Sequence, residues 1–448
     1  MKKSRKRSIT NQDCKQHAHP LTTIAPVKPF SILDHNFFAS TLPGLEPILK
    51  QELISLGITT IDNDLCSKGG IHVRFKSLEE LYKCHLYLGS CSHILLRVNE
   101  GFVANGMEEL VRKVSKLEVW RQLIPCEKGR YPYFKITVSS KESKLYHTIG
   151  IAQRVERGIC LALGLDEYIH VGTIEERSKT KSEPIPILVR IRNNKVQLSI
   201  DTSISPMHKR GYRLASSKAP LREDIAFALL YALGWKDNTI NMNPILVDPL
   251  CGSGTILIEG AAMFFNLPAG RYRDTPMKHT LIGDSLLWKE MVQTATLEAQ
   301  NNICKYLIKS KATPLAFGSD RDAGAIKAAV SNIQRADLSD VIRVKNCSLS
   351  SNPWISGETP TECNAIYLVT NPPYGVRVSH SKSSERVDKL LPLYQTIGNI
   401  VKHRGDVHLG MTVHDILLAR KTGIPSAKTL FTTKHGGLTV SAVGFKNN

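Results

Sequence analysis

The stretch PILVDPLCGSGTILIEGAAMFF (244–265) leaves little choice of fold. A short apolar run ends in an acid, turns through two glycines, and continues as an apolar stretch too long for a second strand. That is a strand, a tight turn and a helix. Such a unit buries both faces of its strand and calls for parallel neighbours, with helices laid over the sheet. The rest of the chain supplies them. LAFGSD (315–320), VIRVKNC (341–347), NAIYLVT (364–370) and DVHLGMTV (406–413) read as strands. RDAGAIKAAVSNIQRA (321–336) and VDKLLPLYQTIGNIVKHR (387–404) carry helical spacing. KTLFTTKH and LTVSAVGFK, joined at Gly436-Gly437, read as a closing hairpin. The expected architecture is a doubly wound, Rossmann-like α/β sheet with a terminal antiparallel hairpin.

The first 200 residues follow another grammar. FFASTL (37–42), then PGLEPILKQELISLG (43–57), then the strand IHVRF after Gly69-Gly70, then a helical SLEELYKCHLYLGSC fit a small α+β unit. MEELVRKVSKL, YFKITVSS, YHTIGIAQRVERGICLALG and a hairpin turned at Asn193-Asn194 make a second unit over 100–203. Residues 1–34 are basic and polar and read as a mobile tail. The expected divisions are 1–34, 35–99, 100–203 and 204–448.

The net charge of +19 favours a polyanionic partner. No apolar run is long enough to span a membrane. The ten cysteines are scattered without Cys-x-x-Cys spacing, so no metal set is expected and a reducing, cytoplasmic setting is. In the basic second unit, Lys141, Lys144 and Arg154 either touch RNA phosphates or form a solvated basic face. Farther on, Arg213 and Glu223 either close over a cofactor or phosphate or, for Glu223, charge the first turn of a helix.

Within VDPLCGSGT, Asp248 ends the strand, Gly252 and Gly254 let the backbone approach a ligand, and Cys251, Ser253 and Thr255 lie in the loop and helix opening. The loop lacks the lysine of a P-loop, and Leu257 stands where a dinucleotide fingerprint needs its third glycine. A nucleoside with a carboxylate suits it better than a triphosphate. Asp320 ends the next strand, where a carboxylate can take both hydroxyls of a ribose. Asp322 beside it reads as a helix cap. Asn346 ends the third strand, where an amide can read an adenine edge, and Cys347 reads as a buried thiol.

The fourth strand ends in TNPPYG (370–375). Two prolines stiffen the backbone and hold the residue before them extended. A glycine loop, a ribose acid and Asn-Pro-Pro-Tyr at successive strand ends resemble the class I S-adenosylmethionine-dependent methyltransferases that modify exocyclic amino groups. HNFFASTLPGLEPILKQELISLGI, KITVSSKESKLYHTIGIAQRVERGI, HKRGYR (208–213), APLREDIAFALL, DPLCGSGTILIEGA and TNPPYGVRV together resemble the THUMP-containing bacterial 23S rRNA guanine-N2 methyltransferases, from about residue 36 onward. The chain departs from that pattern in DTSISPM, which lacks a glycine, and at Asn346, which stands at an acidic position.

The resemblance implies a ferredoxin-like N-terminal domain, a THUMP RNA-binding domain and one catalytic domain. It implies S-adenosyl-L-methionine held by Asp248, Cys251–Thr255, Asp320, Asn346 and Asn371. RNA, 23S rRNA or an assembling large subunit, is the implied partner. Asn371 and the Pro372 carbonyl would accept hydrogens of the guanine amino group, and Tyr374 would stack on the base. A tRNA guanine-N2 enzyme, a DNA adenine-N6 enzyme and a non-catalytic assembly factor remain as alternatives.

Overall fold

The computed structural model describes residues 28–58, 69–126, 132–165, 184–214, 220–236, 244–356, 365–374, 383–404, 406–424 and 427–446. Most of the basic tail, and Gly375, lie outside them. What is described of the tail packs down. Phe30 stacks on His35 with ring centroids 4.5 Å apart, and Gln122 donates to the Lys28 carbonyl.

The N-terminal part runs β1 (Phe37–Thr41), α1 (Glu46–Ser55), β2 (Gly70–Val73), α2 (Leu78–Tyr87), β3 (Cys91–Arg97), β4 (Phe102–Val103), α3 (Met107–Ser115), α4 (Val119–Leu123), β5 (Phe134–Lys141), α5 (Thr148–Ala162), β6 (Ile185–Arg192) and β7 (Lys195–Asp201). Its strands form one sheet in the order β2-β1-β3-β7-β6-β5, with β4 also on β7. The boundary expected at residue 99 therefore falls inside a single sheet. The join is the β3–β7 ladder, Leu95 opposite Asp201 and Arg97 opposite Ser199. One apolar core runs beneath both units, from Phe37 and Leu81 to Ile151 and Ile187. The β6–β7 turn has Asn193 at φ 49° and Asn194 at φ 62°, the pair of left-handed residues that a two-residue hairpin turn requires.

The C-terminal part runs α6 (Glu223–Ala232), β8 (Pro244–Asp248), α7 (Thr255–Phe264), α8 (Ser285–Lys309), β9 (Ala316–Asp320), α9 (Ala323–Arg335), β10 (Ile342–Asn346), α10 (Pro353–Ser356), β11 (Ala365–Thr370), α11 (Ser383–His403), β12 (Val407–Val413), α12 (Ile416–Arg420), β13 (Lys428–His435) and β14 (Leu438–Phe445). The sheet order is β10-β9-β8-β11-β12-β14-β13, parallel except where β14 joins β12 and β13. Strand order reverses between β8 and β11, so the carboxyl ends of β8, β9, β10 and β11 open on one cleft. Every residue of β8 and β11 is buried, as a central strand covered on both faces demands.

The halves are joined by the packing of Met277, Trp288 and Ala295 into the N-terminal core, by backbone bonds such as Gly270 N to the Leu86 carbonyl at 2.8 Å, and by two further contacts. Leu45 and Ile48 of the N-terminal part join the C-terminal core that also holds Phe431 and Ala442. Gly44, at φ 93°, passes so close to β13 that a Cβ there would overlap the Thr432 carbonyl oxygen. The second contact is Arg210. Its guanidinium donates to the carbonyls of Gly89 (2.6 Å) and Met207 (2.7 Å), and to Glu259 of α7 at 3.2 Å. Glu259 also accepts from the Tyr212 hydroxyl at 2.9 Å. Arg210, Tyr212 and Glu259 are all buried. Among the described residues no helix is long and apolar enough to cross a membrane.

Candidate active site

Asp248 closes β8 and is 1% exposed. Its Oδ1 accepts from Leu250 N at 3.1 Å and from the Thr370 hydroxyl at 2.7 Å, tying the ends of β8 and β11 together. Burial pushes this carboxyl up to about 7, against the pull of those two donors and with the nearby Asp320 adding to the rise. Asp248 thus braces the base of the loop.

The loop above it takes the conformation the glycines allow. Gly252 has φ 51° and Gly254 has φ 83°. Gly254 occupies the N-cap of α7, and no side chain caps that helix. Its first amides and the positive end of its dipole therefore remain available to an anionic or hydroxylic ligand. Cys251 and Ser253 are buried, and both of their carbonyls and the Cys251 amide are spent on the fold. Cys251 N donates to the Ser319 carbonyl at 2.8 Å, and the Ser253 carbonyl accepts from Asn332 at 3.0 Å. Burial holds the Cys251 thiol well above its usual range. Thr255 is buried in the first turn of α7.

Asp320 reaches into the same cleft with its carboxylate already oriented. Oδ2 accepts from Gly252 N at 3.0 Å, and Oδ1 from Asp322 N at 2.9 Å. Each oxygen keeps a lone pair for a diol. Asp322 caps α9 as expected, accepting from Gly324 N at 2.8 Å. On β10, Asn346 is exposed and donates through Nδ2 to the Asp320 carbonyl at 2.8 Å. Its Oδ1 is the atom left to accept from an adenine amino group. Cys347 is half-buried, not a core thiol. An uncapped helix terminus, two left-handed glycines, an oriented acid and an amide acceptor on consecutive strand ends suit an adenosyl amino-acid cofactor.

At the end of β11, Pro372 is buried and Pro373 exposed. The Asn371 Oδ1 already accepts from the Tyr374 hydroxyl at 2.6 Å and from the Thr412 hydroxyl. The Tyr374 and Thr412 oxygens stand 3.1 Å apart, closing a triangle. Burial pushes the Tyr374 phenol up to about 12, with the Thr412 hydroxyl pulling the other way. In this structure the Tyr374 hydroxyl is turned inward onto Asn371. Thr412 has no sequence signal. It is an ordinary strand residue, placed beside Asn371 only by the β11–β12 register, in which Thr370 faces Met411.

The basic candidates divide. Lys141 and Lys144 are exposed, at the end of β5 and before α5. Arg154 lies 3.5 Å from Glu108, which also faces Arg157. Arg213 is half-buried and turned onto neighbouring groups of the fold. It donates to the Leu221 carbonyl at 2.6 Å and to Glu223 at 3.1 Å. Glu223 is buried, and burial lifts its carboxyl to about 7 against the attraction of Arg213. That pair staples the HKRGYR segment to α6. Tyr146, 79% exposed, and Ile149 extend the surface beside Lys144. An aromatic and a branched residue at the outer start of a helix were the legible signal for them.

This fold and cleft are those of a class I methyltransferase. Residues 210–419 match the UPF0020 family, RMKL-like methyltransferase domain. The chain is 29% identical over 372 residues to the ribosomal RNA large subunit methyltransferase K/L of Marinobacter nauticus, covering 82% of this chain and 46% of that protein. With the protein of the same name from Methylococcus capsulatus it shares 27% identity over 398 residues, 88% of this chain and 49% of that one. The chain thus spans about half the length of these relatives. Among solved structures, a possible methylase from Clostridium difficile 630 superposes with a TM-score of 0.72 at 25% identity, covering 92% of this chain and 98% of that one. TrmN from Thermus thermophilus shares the fold with a TM-score of 0.59 at 16% identity, over 92% of this chain and all of that one.

Proposed function

We propose that this chain transfers a methyl group from S-adenosyl-L-methionine to the N2 amino group of a guanosine in RNA, the 23S rRNA of the large ribosomal subunit. The observation that carries this is the position of Asn371 and Pro372 at the end of β11, beside the glycine loop and Asp320 of the same cleft.

The bound cofactor supplies an electrophilic methyl group on a sulfonium. The chain's task is to present an amine whose lone pair is free to attack it. Guanine N2 is a poor nucleophile because its lone pair is delocalised into the ring. The Asn371 Oδ1 and the Pro372 carbonyl, aimed at the two amino hydrogens, draw the nitrogen out of conjugation and fix its approach. The N–C bond forms as the S–C bond breaks, and the amino proton leaves to solvent afterwards. No strong base is needed. The Tyr374 ring, once its hydroxyl leaves Asn371, stacks on the base. Asp320 would orient the ribose of the cofactor, Asn346 would accept from its adenine, and the amides of Ser253 and Thr255 at the opening of α7 would hold the amino-acid end.

The N-terminal sheet, ferredoxin-like over 35–99 and THUMP-like over 100–203, presents the RNA through Lys141 and Lys144. A cytoplasmic setting, on free rRNA or on an assembling subunit, follows from that substrate.

Nucleoside mass spectrometry of rRNA and tRNA from cells lacking the protein tests this reading. Loss of N2-methylguanosine from large-subunit rRNA is the expected result. Loss from tRNA alone replaces the substrate, and no lost methylation refutes the enzyme. Asn371→Ala is expected to slow transfer by about a hundredfold or more while RNA binding is kept.

A further inference from the structure

An amide oxygen offers two lone-pair directions. In this structure both directions at Asn371 are filled, by the hydroxyls of Thr412 and Tyr374. A substrate amino group therefore has no place on this oxygen until one donor leaves. The two donors are not equal. Thr412 lies inside β12 and is 0% exposed, with Met411 laddered to Thr370 and Thr412 itself opposite Ala442 of β14. Its backbone is held in the ladder on both sides, and its β-branched side chain is restricted about its first torsion. Tyr374 is half-buried and lies beyond the last residue of β11.

The geometry points to Thr412 as a positioning residue that fixes the Asn371 carbonyl, and to the Tyr374 hydroxyl as a removable cap standing where the substrate N–H will stand. This rests on the amino-group transfer proposed above. Thr412 touches neither substrate nor cofactor in this role. It spends one lone pair of Asn371, blocks rotation of the amide about its last side-chain bond, and leaves a single slot pointing into the cleft. Tyr374 fills that slot at rest, so the half-buried carbonyl is never unpaired. When a base enters, its N–H replaces the phenol, and the freed ring turns onto the base. The same side chain is thereby guard in the empty site and platform in the filled one.

The test is steady-state kinetics on 23S rRNA with three variants. Thr412→Val keeps shape and loses the donor. It is expected to lower kcat about tenfold, the worth of one buried hydrogen bond, with KM for RNA within about twofold. Thr412→Ser restores the donor and is expected to recover most of kcat. Tyr374→Phe removes the cap and keeps the ring, so KM for RNA is expected to fall several-fold. Wild-type kcat in Thr412→Val overturns the proposal, as does a serine variant no better than valine when urea midpoints show both folded. A raised KM in Tyr374→Phe overturns the cap. If the wild-type protein methylates no RNA, the proposed function fails, and the triangle is read without turnover. With [13Cζ]tyrosine, the Tyr374 resonance is expected to move in Asn371→Ala and Thr412→Val but not in Thr412→Ser. A resonance that stays put in all three refutes the triangle.

Discussion

Replacing Arg210 by methionine removes the largest buried cation at the junction of the two halves. The substitution preserves volume and apolar stem but deletes four hydrogen bonds, to Gly89, to Met207 and twice to Glu259. Glu259 is 4% exposed and keeps only the Tyr212 hydroxyl as a donor from this cluster. An uncompensated buried carboxylate of this kind costs about 3–5 kcal/mol. The orphaned carbonyls of Gly89 and Met207 add about 1 kcal/mol each where water does not reach them. The loss is therefore on the order of 5 kcal/mol, a large share of the roughly 5–15 kcal/mol a folded protein holds. Urea unfolding followed by tryptophan fluorescence and circular dichroism measures it. The companion Glu259→Gln removes the stranded charge, so the double variant is expected to regain about 2 kcal/mol or more over Arg210→Met. A loss below about 1 kcal/mol, or a double variant that is simply additive, refutes the claim that this ion pair locks the halves.

Other consequences can be measured separately. Because the Asp248 carboxyl is raised to about 7 in the fold, its contribution is present below about pH 4 and is lost as pH rises through about 7. Asp248→Asn, neutral throughout, is expected to gain on the wild type by up to about 4 kcal/mol between pH 4 and pH 8 in urea melts, and parallel curves would contradict this. Gly254→Ala forces a side chain into φ 83° with its Cβ 3.4 Å from Ala329, costing about 1–2 kcal/mol of stability, and calorimetry should show weaker S-adenosylmethionine binding as the loop shifts. Converting Lys141 and Lys144 to alanine should flatten the log–log salt dependence of RNA binding by about one unit per lysine, whereas an unchanged slope removes them from the RNA face.

Much of the fold was legible because its signals are local. Periodicity and glycine stops marked the helices, Asn193-Asn194 and Gly436-Gly437 marked the hairpins, and the strand ends delivered Asp248, Asp320, Asn346 and Asn371 in order. What failed to show was anything set by pairing across long separations. β3 hides behind SLEELYKCHLYLGSC as an apparent helix end, so the single sheet through residue 99 was invisible. Arg213 reads as a phosphate ligand until the fold brings Glu223 against it. Thr412 carries no motif at all, because its meaning comes from a neighbour forty residues away, reached through a parallel ladder. Tyr374 was recognised, but the inward turn of its hydroxyl depends on that same neighbour.

The close passage of Gly44 over Thr432, with Arg210 behind it, makes the molecule a caliper. One jaw is the surface holding Lys141 and Lys144, the other the cleft holding Asn371, and no hinge lies between them at these two contacts. On the proposed function, an RNA whose target guanosine lies at the wrong span from its anchoring segment is expected to be rejected by length, whatever its sequence. Selectivity of that kind is written into the distance between two parts of a stiff body, and lengthening the Leu42–Leu45 turn would change which guanosine is reached before it changed how fast.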